Sequence, residues 1–149
     1  MSQKGSAIAR KTAARLAAVQ VLYQMRLNNQ NAKSALSEYA SHRAGKDMDG
    51  DTLVTPDADL LDDIVNGVET RWADVDGIVS SALSDGGRET VEPLLDCILR
   101  AGVYEMIAHG SVDTGIIIND YLNVTVGFYE GTEKKLINAV LDKVGKTVR

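Results

Sequence analysis

Cysteine, histidine, proline and large aromatics are all scarce in this chain, and each scarcity removes a class of protein. Cys97 stands alone, so no internal disulfide forms and a structural zinc site lacks its ligands. His42 and His109 are the only histidines, which excludes a histidine-based metal cluster. One Phe, one Trp and two Pro among 149 residues argue against a turn-rich β-sandwich. No run of about 18 apolar residues occurs, so no segment reads as a membrane span. A glycine-rich phosphate loop, a nucleophile motif and a His- or Cys-based catalytic arrangement are equally missing. What is left is an ordinary globular composition, 44% hydrophobic and 25% charged. The expectation is a soluble protein with no catalytic residues, no metal and no cofactor.

What is present is helical periodicity. Residues 90–109 carry Leu94/Leu95, Ile98/Leu99, Gly102/Val103 and Met106/Ile107, an apolar surface over more than half the circumference. Thr90 can cap this helix and Pro93 falls in its first turn. A helix so apolar belongs at the centre of a bundle. Glu105 is its misfit, a carboxylate within the apolar arc that needs a partner, for which a neighbouring helix end is the simplest candidate. Residues 8–28 form an Ala-rich first helix and 31–43 a weaker second one. Residues 45–55 read as a loop, and Asp47, Asp49 and Asp51 there imitate a calcium loop without its glycine or its final glutamate. Thr55-Pro56 opens a third helix and Asp74 a fourth. Residues 84–88, SDGGR, form a linker dividing two small helical subdomains, 1–84 and 89–149. Residues 113–130 are ambiguous, because three consecutive isoleucines also suit a strand, and are assigned to helix from their surroundings. Gly131 and Thr132 then introduce the last helix, with Leu136, Ile137, Val140, Leu141 and Val144 inward. The fold class is all-α, about seven helices in two subdomains sharing a core.

Charge is unevenly placed along the chain. Residues 1–37 contain six bases and no acid, residues 38–133 carry a net −15, and residues 134–149 a net +4. Arg10, Lys11 and Arg15 lie near the start of the first helix, and Lys134 and Lys135 in the first turn of the last. A cation at a helix N-terminus opposes the macrodipole by about 0.3–1 kcal/mol when exposed. Breaking that local rule twice marks sites suited to an anion. If the two ends meet, they form one cationic patch for phosphates, while the acidic middle suits a basic protein.

Three stretches carry a family resemblance. Arg15 to Tyr23 (RLAAVQVLY) is similar to the first-helix signature of the bacterial antitermination factor family NusB, and Leu99 to Met106 (LRAGVYEM) to its central helix. Ile118-Asn119-Asp120, Phe128 and Ile137 to Lys143 (INAVLDK) resemble its last two helices. The resemblance implies seven helices in two subdomains. It also implies a non-catalytic protein that binds the boxA element of ribosomal RNA transcripts beside NusE, a basic small-subunit ribosomal protein, in an RNA polymerase complex. Homodimers occur among such proteins.

Carried onto this chain, Arg10, Lys11 and Arg15 are expected on phosphates and Gln20 and Tyr23 near base or sugar, although Tyr23 reads equally as core. Thr132, Lys134 and Lys135 complete the RNA face. Asn119 and Asn138 are expected to satisfy helix ends. Glu92, Asp96 and Arg100 are the protein-partner residues. The sequence departs from the family where Thr12 and Ala13 replace further bases and Leu136 replaces a Phe that could stack on an unpaired base. Two alternatives stay open. One is a helical interaction module that never touches RNA. The other is an accessory domain related to ribosomal RNA methyltransferases, disfavoured because the sequence stops at Arg149.

Overall fold

A computed structural model describes residues 4–48, 54–83 and 91–149, in which seven α-helices and no strand occur. They are α1 (Ala7–Asn28), α2 (Ala32–Met48), α3 (Ala58–Thr70), α4 (Trp72–Ala82), α5 (Pro93–Ala108), α6 (Thr114–Val126) and α7 (Glu133–Val148). The SDGGR linker, the Thr90 cap and most of the calcium-like loop fall outside the described residues. Among the described residues no helix is long and apolar enough to cross a membrane.

α5 takes the central position that its composition predicts. Every residue from Leu95 to Met106 is buried, and the helix packs against α1, α3, α4, α6 and α7. Gly102 is what lets α7 approach, since a Cβ there would stand 2.9 Å from Leu141 Cδ2. The isoleucine-rich stretch is helical as assigned. Asp113 caps α6 by accepting from Gly115 N, and only Ile117 of the three isoleucines is buried.

Several boundaries differ from the sequence reading. α2 continues to Met48, past the expected start of a loop at Gly45. α3 begins after Asp57, whose carboxylate accepts from Leu60 N, so Thr55-Pro56 leads into the helix without capping it. α4 starts at Trp72, which places Asp74 inside its first turn. α6 ends at Val126, four residues earlier than expected, and Thr132 precedes α7 without a side-chain capping bond. Short polar residues cap only when their φ/ψ and reach match the first turn, which residue type alone does not determine.

Candidate nucleic-acid interface

The first helix meets the sixth through side chains that the sequence separates by more than a hundred residues. Thr12 donates from Oγ1 to Asp120 Oδ1 at 2.7 Å. One turn further along α1, Leu16 Cδ1 lies 3.6 Å from where a Cβ on Gly127 would be. Numbers rise together along both helices, so α1 and α6 run in the same direction. Ile8 and Ile116, one turn earlier on each, therefore lie at the same end, and they are 80% and 57% exposed.

On its other flank α6 packs along α7. Leu122, Asn123 and Val126 there border an open groove of about 310 Å³ with Lys134, Lys135 and Asn138. α6 thus touches both helices with basic starts, meeting α1 at Thr12, next to Lys11, and lining a groove with Lys134 and Lys135 of α7. Ile116, Asn119, Asn123 and Val126 are all exposed and recur at helical spacing along its outer ridge. Lys11, Lys134 and Lys135 are exposed, and none forms an ion pair among the described residues. Arg10 is half-buried and donates from Nε to the Thr55 carbonyl at 3.1 Å, a neutral partner that leaves its charge uncompensated.

Arg15 is placed otherwise than expected. It is 4% exposed and committed on both sides of its guanidinium. Nε and Nη2 donate to Glu105 at 2.7 and 2.9 Å, and Nη1 donates to Asp120 at 2.7 Å. Glu105 also accepts from Tyr121 Oη at 2.5 Å and pairs with His109 Nδ1 at 2.9 Å. His109 in turn meets Asp63 of α3 through Nε2. Burial alone would raise the Glu105 pKa, but bonds from His109, Arg15 and Tyr121 outweigh it and hold the carboxyl at about 2. Glu105 is thus satisfied by side chains of α1 and α6 and by His109 at the end of its own helix, not by the end of a neighbouring helix. A buried Arg with two carboxylates fastens α1 to α5 and α6, and it offers no donor to an RNA phosphate. The signal was legible in part, since Glu105 was the one carboxylate in an apolar arc; its partner, 90 positions away, was not.

The remaining candidates divide. Gln20 is exposed but borders a different groove of about 330 Å³, shared with Tyr39, His42 and Arg43 of α2. Tyr23 is half-buried against the core. Thr132 is exposed beside Lys134. Asn119 and Asn138 satisfy no helix end; both are exposed and their side chains make no hydrogen bond among the described residues. Of the three expected partner-facing residues, only Glu92 is at the surface, where its carboxylate accepts from Tyr129 Oη. Asp96 and Arg100 are buried at 5% and 3% exposure. Arg100 donates to Asp96 at 2.7 Å and to Asp76 at 2.8 Å, with its guanidinium 4.1 Å from the Trp72 ring centroid. These two residues, expected to face a partner, are instead the joint between α4 and α5, because α4 covers them.

No cluster of His, Cys, Asp or Glu suited to a metal occurs among the described residues. Fold and surface together define an all-α protein with exposed lysines at the starts of its first and last helices. Known proteins match it closely. The NusB family model covers residues 12–146, and the chain belongs to the NusB family. It is 38% identical to the transcription antitermination protein NusB of Rhizobium rhizogenes over 92% of this chain and 86% of that one. The corresponding protein of Sinorhizobium medicae is 39% identical over the same shares. Among solved structures, Thermotoga maritima NusB superposes with a TM-score of 0.75 at 16% identity, covering 96% of this chain and 92% of that one. A chain in the crystal structure of antitermination factors NusB and NusE with dsRNA superposes at 0.77 and 22% identity, covering 95% and 99%.

Proposed function

We propose that this chain is a non-catalytic, cytoplasmic transcription antitermination factor that binds boxA-type RNA of ribosomal RNA transcripts together with NusE. One observation carries the reading: α6 packs against both helices with cationic starts, meeting α1 at Thr12, next to Lys11, and lining a groove with Lys134 and Lys135 of α7. The family supports it, since relatives at 38–39% identity are antitermination proteins and one similar fold was solved with NusE and RNA. Phosphates would lie on Lys11, Arg10, Lys134 and Lys135, with Thr132 beside them, and Arg15 would hold the scaffold in place. Gln20 and Tyr23 would serve the RNA only where it wraps round α1. The basic partner would meet the acidic surface at Glu92, while Asp96 and Arg100 would shape that surface from beneath. The pair would act within an RNA polymerase complex, and a homodimer covering the basic face would hold the protein inactive.

Charge sets the test. Three to four phosphate contacts give a slope of log K against log salt of about −2 to −3, at roughly 0.7 per phosphate of a single strand. A gel shift with a boxA-type single strand, with and without NusE, compares wild type with Lys11→Glu and Lys135→Glu. Both substitutions should weaken binding and flatten the slope. Affinity indifferent to salt and to both substitutions refutes the proposal.

A further inference from the structure

The groove between α6 and α7 has a composition that phosphate binding alone does not explain. Two lysines line it, but so do two side-chain amides, Asn123 and Asn138, and two apolar residues, Leu122 and Val126. No carboxylate lines it. Asn123, Asn138 and neighbouring Asn119 are all exposed, and none of their side chains hydrogen-bonds to another described residue. Val126 is 54% exposed at the end of α6. Asparagine is a poor residue for the interior of an exposed helix, about 0.5 kcal/mol worse than alanine, so three unbonded ones on adjoining helix faces contribute nothing visible to the fold.

Resting on the function proposed above, we infer that this groove reads one unpaired nucleobase. Asn123 and Asn138 bond its edge from the two helices, Leu122 and Val126 contact its face, and Lys134 and Lys135 hold the flanking phosphates. A side-chain amide presents a donor and an acceptor together, the pattern that matches a base edge bidentately. Lysine supplies the sequence-independent attraction and cannot discriminate. The base must be unpaired, because the deep, narrow major groove of an RNA duplex hides the edges that an amide reads. The apolar lining, Leu122 and Val126, is aliphatic, so hydrogen bonding rather than aromatic stacking supplies the discrimination here. A basic protein segment is disfavoured by the two lysines.

The test uses the full chain and fluorescence anisotropy on labelled boxA-type single strands, with each position changed in turn, and on the same sequence as a duplex. Wild type should discriminate at one position by tenfold or more, the scale of a bidentate base contact. Asn123→Ala/Asn138→Ala should abolish that preference and leave the salt slope unchanged. Lys134→Ala/Lys135→Ala should weaken all strands alike and reduce the slope by about 0.7 for each phosphate lost. The duplex should bind without the preference. Circular dichroism should be unaltered in every variant, since all four residues are exposed. If the asparagine variant keeps wild-type discrimination while Lys135→Glu weakens binding, the groove is not the reader and the wider RNA surface stands. If wild type binds no RNA with or without NusE, both readings fall.

Discussion

Replacing Glu105 by Gln changes one oxygen for an NH2 at a fully buried carboxylate. Arg15 Nε and Nη2, 2.7 and 2.9 Å away, would then face an amide that can accept at one end only and presents a donor at the other. Asp120 would remain as the sole carboxylate for a guanidinium that is 4% exposed. Breaking a buried ion pair by removing one charge costs about 3–5 kcal/mol, chiefly from the charge left uncompensated. For a domain of this size each kcal/mol lowers Tm by roughly 2–4 °C, so a drop of about 6–20 °C is expected. Thermal and urea unfolding followed by far-UV circular dichroism measures it. The same network sets a pH dependence whose sign is determined. The Glu105 pKa is about 2 in the fold against an ordinary 4.5. A depressed carboxylate contributes stability above the unfolded value and loses it as pH falls through the folded one. Wild type should therefore exceed Glu105→Gln by several kcal/mol at neutral pH, and the difference should shrink by about 3 kcal/mol between pH 4.5 and 2. Arg15→Met/Glu105→Met, which removes both charges, should recover part of the loss. A Glu105→Gln variant within about 1 kcal/mol of wild type at pH 7 refutes the claim that Arg15 is structural. It would also return that arginine to the RNA face.

Other outcomes follow from neighbouring geometry. His109 is held above its ordinary pKa by its bond to Glu105, which with Asp63 outweighs burial. Its contribution to stability is complete below pH 6.5 and fades as pH rises through the raised value, with Asp63, Glu105, Tyr104 and the Arg149 bond to its carbonyl all around it. Asp63→Asn should lower the imidazole midpoint in an NMR titration; an unchanged midpoint counts against the pair. Gly67→Ala puts a methyl 2.1 Å from Tyr104 Cζ. The ring must move and its 3.1 Å bond to Asp63 break, at about 1–3 kcal/mol in urea unfolding. Lys11→Glu and Lys135→Glu, both at exposed positions, should change RNA affinity while shifting Tm by little, the reverse of Glu105→Gln.

The amino-acid order alone determined the helix count, the central place of α5 and the basic starts of α1 and α7, because each is written in local periodicity and charge. Resemblance added the family. Packing decided the roles within those helices. Arg15 and Lys11 are both cations near the start of α1, and nothing local separates them. One is drawn inside because Glu105 and Asp120 converge on it from helices distant in sequence. The other stays outside and forms no ion pair among the described residues. Asp96 and Arg100 read from the sequence as partner-facing residues and form an interior joint because α4 covers them. Helical spacing tells which residues share a face, and only the arrangement of the other helices tells whether that face meets water.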